Sequence, residues 1–144
     1  MRKQGAIAAA VDVHVPFHDV DLAGVVWHGH YIKYLENARW AVMDRIGFGL
    51  EAMKGSGFMW PVVGLEVKYI RAVRYGDHLR VNASLVEWES RLVLNYLIVE
   101  AKDDARVGRA QTVQVAVEND TGTLQLVSPT CLLTCIEACL NEAK

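Results

Sequence analysis

Alternating apolar and polar residues predict one strand near the start of the chain and several more in its second half. In the stretch AVDVHVPF, the apolar residues Val11, Val13 and Val15 are separated by polar ones, which is the period of two typical of a half-buried strand. Pro16 cannot donate to a ladder, so either this strand lies at a sheet edge or Pro16 lies at its end. Four later runs also suggest strands: VVGLEVKYIRAV, HLRVNASLVEW, RLVLNYLIVEA and RAQTVQVAVEN. The third is apolar on both faces and is therefore expected at the centre of the sheet.

One long helix is predicted between the first strand and the others. In HYIKYLENARWAVMDRIGFG, apolar residues recur at helical spacing and polar residues occupy the opposite face. The apolar stripe consists of Tyr31, Tyr34, Leu35, Ala38, Ala41, Val42 and Ile46. Gly47 and Gly49 supply a stop signal. Ser128 and Pro129 are expected to open a last helix as its N-cap and first residue.

The order of these elements predicts the fold class. The later strands are joined by short connectors such as RYGD, EWESR and DDARVG, and strands with short connections are antiparallel. One helix against one antiparallel sheet is an α+β fold in which the sheet curls around the helix. The 144 residues contain no repeat and no flexible linker, so residues 1–144 are expected to form a single domain.

Composition and charge narrow the function classes. Hydrophobic residues make up 52% and charged residues 22% of the chain, with a net charge of −2. This balance provides no general positive field for nucleic acid. Near the N-terminus, Asp12 interrupts the apolar run after six residues, and no segment is long enough to span a membrane. We therefore expect a cytoplasmic protein with no nucleic-acid partner and no membrane partner.

The three cysteines recur every fourth residue in SPTCLLTCIEACL, at Cys131, Cys135 and Cys139. On a helix they form one stripe. Their odd number makes a poor disulfide framework, and without a nearby histidine they make a poor zinc site. They are expected to be reduced thiols that pack as small apolar side chains.

Titratable residues are concentrated just before the long helix. Four of the five histidines lie between residues 14 and 30, together with Asp12, Asp19 and Asp21. A zinc site would need three or four closely placed ligands, and a face shared by Asp12, His14 and His18 could supply some of them. No known metal motif is present. We expect no functional metal and no cofactor.

Asp21 differs from the other acids because of the sequence that follows it. In DLAGVVWHGHY, a carboxylate is followed by a flexible Ala-Gly step, two apolar residues and a helix start. The first amides of a helix lack internal acceptors and carry positive potential, so they could polarise a carbonyl group. A nearby carboxylate could attack that carbonyl or activate a water. The alternative is an aspartate that caps the helix or is a solvated residue of the loop.

These residues resemble a known signature. The stretch HDVDLAGVVWHGHYIKYLENARW is similar to the opening of the hotdog-fold thioesterases, in the branch related to 4-hydroxybenzoyl-CoA thioesterase. The matching residues are Asp21, Gly24, Val25, Val26, Trp27, His28, Tyr31, Leu35, Glu36 and Arg39. Weaker similarity continues through VKYIRAVRYGDHLRV and VEWESRLVLNY. The resemblance implies a hotdog fold, a curved antiparallel sheet wrapped around one long helix, with a short C-terminal helix.

The resemblance also implies an enzyme, an acyl-CoA thioesterase that releases a free acid and CoA, and it implies roles for particular residues. Asp21 corresponds to the catalytic carboxylate, which acts as nucleophile or general base. His28 is its catalytic partner, because the backbone N–H of His28 corresponds to the donor that polarises the thioester carbonyl. Gly29 and Tyr31 are expected to contact the substrate.

Basic residues are expected to hold the CoA phosphates. Arg91 falls where one branch of the family has a residue that meets the CoA nucleotide, but Glu89 and Ser90 replace further basic residues of that branch. Lys68, Arg71 and Arg74 offer a second basic patch for the same phosphates, unless they are only solvated residues on strands and turns.

Two other functions fit the same fold. A hydratase or dehydratase acting on acyl thioesters usually pairs its aspartate and histidine more closely than Asp21 and His28. A non-catalytic module could bind acyl-CoA or an acyl carrier protein. The family forms dimers and dimers of dimers, so a homodimer or homotetramer is expected, and Trp40 on the polar side of the helix fits a subunit contact. The sequence leaves the acyl group unassigned.

Overall fold

One long helix packs against a five-stranded antiparallel sheet in the computed structural model, which describes residues 7–142. The strands are β1 (Ala8–His14), β2 (Phe58–Met59), β3 (Val62–Tyr69), β4 (His78–Glu87), β5 (Leu92–Glu100), β6 (Arg106–Gln114) and β7 (Val117–Glu118). The helices are α1 (Tyr31–Arg45), α2 (Leu50–Gly55) and α3 (Thr130–Glu142). The expected α+β class and the expected long helix are confirmed.

The strand order β1-β4-β5-β6-β3 places β5 at the centre of the sheet. Every pairing is antiparallel, as the short connectors predicted. β1 is an edge strand that ends at His14, two residues before Pro16. The small strands β2 and β7 pair separately.

The core lies between α1 and the sheet. The helical stripe is buried as predicted, except that Ala41 is half-buried. From β4, the alternating residues Leu79, Val81, Ala83 and Leu85 are buried. Burying one leucine side chain contributes about 1.5–3 kcal/mol relative to an exposed one, so this interface fixes the position of α1.

The run RAQTVQVAVEN, which was expected to form one strand, is divided between the end of β6 and β7. In β6, Val113 is half-buried, whereas the polar residues Thr112 and Gln114 are buried. Both buried residues have partners: Thr112 Oγ1 lies 2.7 Å from the Tyr96 hydroxyl, and Gln114 Nε2 donates to the Trp60 carbonyl at 2.7 Å. A hydrogen bond offsets the cost of burying a polar group.

The predicted cap of α3 is wrong. The helix begins at Thr130, two residues after Ser128, and the Ser128 hydroxyl donates instead to the carbonyl of Trp88. This bond ties the start of α3 to the β4–β5 turn. All three cysteines lie on α3 as free thiols; one is exposed and two pack against the core. Within residues 7–142, no helix is both long enough and apolar enough to cross a membrane.

Candidate active site

Residues 19–27 form a short hairpin just before α1, here called the 19–27 hairpin. The Trp27 amide donates to the Asp19 carbonyl at 3.0 Å, and the Asp21 amide donates to the Val25 carbonyl at 2.9 Å. Gly24 has a φ of +79° and donates to the Asp21 carbonyl at 2.9 Å. That backbone conformation favours glycine. Asp21 therefore lies in the turn of the hairpin.

Asp21 is exposed, and its carboxylate also braces this turn. Its Oδ1 accepts a hydrogen bond from the Ala23 amide at 2.8 Å. Asp21 is thus also an exposed turn residue, which is one of the alternatives that the sequence left open. Within residues 7–142 the other oxygen, Oδ2, has no hydrogen-bond partner, so the carboxylate keeps a free oxygen that can act as a base.

The long helix is entered through a 3-10 turn, His28–His30, which continues directly into α1. In the described part of the chain, the amides of His28 and Gly29 donate to no protein acceptor. Unpaired amides are expected at a helix start, where the helix dipole adds positive potential. The His28 carbonyl accepts a hydrogen bond from the Tyr69 hydroxyl at 2.8 Å. This arrangement can hold a developing oxyanion.

Trp27 explains why residue 29 is glycine. A Cβ atom on Gly29 would lie 2.2 Å from the nearest atom of the Trp27 indole ring. The ring is 48% exposed, and its centroid lies 5.0 Å from that of His28 and 5.2 Å from that of His30. The indole thus lies over the backbone of the helix start.

A pocket of about 250 Å³ lies beside this turn. It brings together three of the predicted site residues, His28, Tyr31 and Arg71. Tyr31 is buried, burial raises the pKa of its hydroxyl, and its ring meets Tyr69 edge-on at 4.8 Å. Arg71 is half-exposed and pairs with the buried Glu100, with 3.1 Å between Nη2 and Oε1. The pocket is mostly apolar with one cation at its wall.

Lys68 and Arg91 lie outside this pocket. Lys68 pairs with Glu66 at 3.6 Å and lines a separate groove of about 490 Å³. Arg91 lies in the β4–β5 turn, where its Nε donates to Glu87 at 3.1 Å. Neighbouring residues on a strand point to opposite faces, so Lys68 faces away from the pocket that Tyr69 lines. The structure does not gather the predicted phosphate ligands into one cluster.

Sequence reasoning did not predict that the Asp19 carboxylate is buried and hydrogen-bonded. Its side chain is 1% exposed and accepts hydrogen bonds of 2.6 Å from Lys33 Nζ and from the Tyr34 hydroxyl. Burial acts to raise the pKa of this carboxyl, but the two hydrogen bonds outweigh it and the pKa lies below its ordinary value. The partners are 14 and 15 residues away, so no local spacing reveals them.

The side chains of the histidine-rich segment make separate contacts in the structure. Among residues 7–142, no three side chains of His, Cys, Asp or Glu are grouped so that they could hold a metal ion. His14 instead stacks on His78, with ring centroids 4.1 Å apart, and Asp12 lies 3.3 Å from His78 Nε2. His18 is exposed.

One helix packed against a curved antiparallel sheet, with a pocket at the start of the helix, is a hotdog fold. The chain matches the thioesterase-like superfamily over residues 15–133 and belongs to it. It is similar to a solved mutant of 4-hydroxybenzoyl-CoA thioesterase complexed with 4-hydroxybenzoyl-CoA. The TM-score is 0.73 and the identity 20%, and the match covers 90% of this chain and 98% of the other.

Sequence relatives support this membership. A putative esterase of Synechocystis is 34% identical over 88 residues, which are 56% of this chain and 53% of that protein. This chain thus matches about half the length of that relative. The acyl-CoA thioester hydrolase YbgC of Escherichia coli O6:H1 is 26% identical over 107 residues, which are 74% of this chain and 79% of the relative.

Proposed function

We propose that this protein hydrolyses an acyl-CoA thioester to a free carboxylic acid and CoA. The observation that carries the proposal is the pair of unpaired amides at His28 and Gly29, beside a largely apolar pocket and next to the hairpin that bears Asp21. Membership of the thioesterase-like superfamily and the resemblance to a CoA thioester hydrolase support it.

In the general-base route, the Asp21 carboxylate takes a proton from a water molecule. The water oxygen adds to the thioester carbonyl carbon, and the charge that develops on the carbonyl oxygen is stabilised by the amides of His28 and Gly29. The carbon–sulfur bond then breaks, and the CoA thiolate leaves and takes up a proton. A thiolate leaves without a strong acid, so this route needs no second acid beside Asp21.

In the nucleophilic route, an oxygen of Asp21 attacks the same carbon and expels the thiolate, which forms a mixed anhydride. Water then cleaves the anhydride and regenerates the carboxylate. Both routes use the same two groups, Asp21 and the helix-start amides, so both predict that replacing Asp21 lowers turnover by orders of magnitude.

Arg71 is our first candidate for contact with the CoA phosphates, because it is a half-exposed cation at the pocket wall. Lys68 and Arg91 remain candidates, since both are solvent-accessible cations; Lys68 pairs with the exposed Glu66 and Arg91 with the partly exposed Glu87. Tyr31 and Gly29 are proposed to contact the acyl group and the thioester.

We also propose that the active form is a homodimer or homotetramer. β3 is an edge strand of the sheet with exposed apolar side chains at Val62, Val63 and Leu65. An unprotected edge of this kind is a ready surface for pairing with a second chain. Trp40, half-buried on α1, is a further candidate for a contact between subunits. The free thiols fit a reducing, cytoplasmic location.

A screen of thiol release with short-chain, long-chain and aromatic acyl-CoAs tests the proposal. Release of CoA thiol that depends on Asp21 supports hydrolysis. Loss of the double-bond absorbance of an enoyl thioester without thiol release would instead show a hydratase. Tight binding of acyl-CoA without either reaction would show a binding module.

A further inference from the structure

The proposed chemistry does not use the buried carboxylate of Asp19. Lys33 Nζ reaches one of its oxygens and the Tyr34 hydroxyl reaches the other, each at 2.6 Å. His30 Nε2 lies 3.9 Å from the oxygen that Lys33 contacts. A buried carboxylate is costly unless it is paired and hydrogen-bonded. Here all of these contacts come from the segment that opens α1.

The backbone of Asp19 also closes the base of the 19–27 hairpin, because its carbonyl accepts the amide of Trp27. Asp21 lies at the other end of this hairpin, in the turn, and His28 follows Trp27 directly. Through one side chain and one carbonyl, Asp19 therefore joins the piece of chain that bears Asp21 to the first turn of the helix.

We propose that Asp19 is a positioning residue for thioester hydrolysis, which sets the geometry between the Asp21 carboxylate and the amides of His28 and Gly29. This inference rests on the proposed function and adds to it a second carboxylate that does not touch the substrate. A displacement of about 1 Å between reacting groups can lower a rate by about 100-fold. A loosened hairpin base is thus expected to lower kcat more than it changes KM.

Substitutions test the hydrogen-bonded group of Asp19, Lys33 and Tyr34, here called the clamp. Asp19→Asn keeps the size of the side chain and removes its charge, whereas Tyr34→Phe removes one hydrogen bond and leaves the ion pair with Lys33. Each is expected to lower kcat by about tenfold or more, with KM changed by less than about twofold. Lys33→Arg keeps a cation and is expected to retain more of kcat than Lys33→Met.

Tyr96→Phe is the matched control. It also removes a buried phenol hydrogen bond, that of 2.7 Å to Thr112, but inside the sheet. Its loss of stability is expected to resemble that of Tyr34→Phe, while its kcat stays at the wild-type value. All variants are assayed well below their thermal midpoints, with circular dichroism to confirm folding. The comparison separates a lost clamp from lost stability.

Equal kcat values for Tyr34→Phe and Tyr96→Phe would overturn the positioning role, and the thioesterase assignment would stand if Asp21→Asn were inactive. If the wild-type protein released no thiol from any acyl-CoA, the proposed function itself would fail, and with it any role of Asp19 in hydrolysis. Should Asp19→Asn not fold, Tyr34→Phe decides, because it retains the ion pair.

Discussion

The hydroxyl of Tyr69 donates a 2.8 Å hydrogen bond to the carbonyl oxygen of His28. The bond joins the end of β3 to the turn that opens α1, and both residues line the same pocket. The ring of Tyr69 also meets Tyr31 edge-on. The Tyr69 side chain therefore contacts Tyr31 in the pocket wall. It also holds the peptide group between His28 and Gly29, whose amide is proposed to bind the oxyanion.

Tyr69→Phe should weaken catalysis without removing the pocket wall. A neutral hydrogen bond contributes about 1 kcal/mol, and its loss frees the His28 peptide, so kcat/KM is expected to fall about fivefold. Steady-state kinetics measure this. Tyr75→Phe is the control, because Tyr75 is exposed and its ring only meets the edge of Phe17. Equal kinetic effects of the two substitutions would contradict the prediction.

Asp21→Asn should lower turnover by orders of magnitude and preserve the fold. The amide oxygen can still accept the Ala23 hydrogen bond that braces the turn, but an amide is neither a base nor a nucleophile. Loss of a general base typically lowers kcat by about 100-fold or more, while the thermal midpoint should change by only about 2 °C. Asp120→Asn, in an exposed turn, serves as control. Near-normal turnover of Asp21→Asn would remove this residue from the mechanism.

Gly29→Ala should displace the indole of Trp27. The ring is half-exposed and can swing into solvent, so the expected loss in the free energy of unfolding is about 1 kcal/mol. In a protein that already carries Trp27→Ala, Gly29→Ala should cost little stability. The coupling energy between the two substitutions should therefore be close to the loss caused by Gly29→Ala alone. Gly55→Ala is the control, because nothing lies within 4 Å of its added Cβ. Urea denaturation measures the wild type, Trp27→Ala, Gly29→Ala, the double variant and the Gly55→Ala control, and additive effects would argue against the contact.

The clamp at Asp19 predicts a particular dependence of stability on pH. The pKa of the folded carboxyl lies below its ordinary value of 3.8, so its contribution is fully present above about pH 4 and is lost as the pH falls through the folded pKa. At neutral pH, Asp19→Asn is expected to destabilise by about 2 kcal/mol. The gap between wild type and variant should narrow in acid, as measured by urea denaturation at several pH values. A gap that stayed constant down to pH 2 would contradict an ionised clamp.

Val63→Lys should dissociate the proposed dimer. The side chain is 60% exposed on the edge strand β3, and a lysine there opposes pairing with a second strand. Light scattering on a sizing column measures the molar mass, which is expected to fall to that of one chain. Leu126→Lys is the control, since Leu126 is 78% exposed but lies in a loop. A dimer that survived Val63→Lys would place the interface elsewhere.

The elements that could be predicted are those with one continuous apolar face. The α1 stripe and the alternation along β4 each report burial against a single partner, so local periodicity was sufficient. β6 was harder, because Thr112 and Gln114 are buried through hydrogen bonds to Tyr96 and to Trp60, far away in the sequence. A pattern of hydrophobicity carries no information about such partners.

The candidate site likewise contains residues that a local sequence pattern could indicate and residues whose contacts depend on distant parts of the chain. Asp21 and His28 lie within one short segment, so a local motif could point to both. The clamp on Asp19 and the pairing of Arg71 with Glu100 depend on how separate elements pack. The exclusion of Lys68 from the pocket depends on which face of β3 it occupies.

The pocket is assembled from two independent pieces of chain. Residues 19–31 bear the proposed reacting groups, whereas Ile70, Ala72 and Val73 supply much of the wall. Under the proposed function, this division would let the acyl preference be changed: a larger residue at 72 would favour compact acyl chains, and a smaller one at 70 would admit bulkier chains. Neither change alters the residues that bear the proposed reacting groups, so a panel of variants with new substrate ranges is accessible from this scaffold.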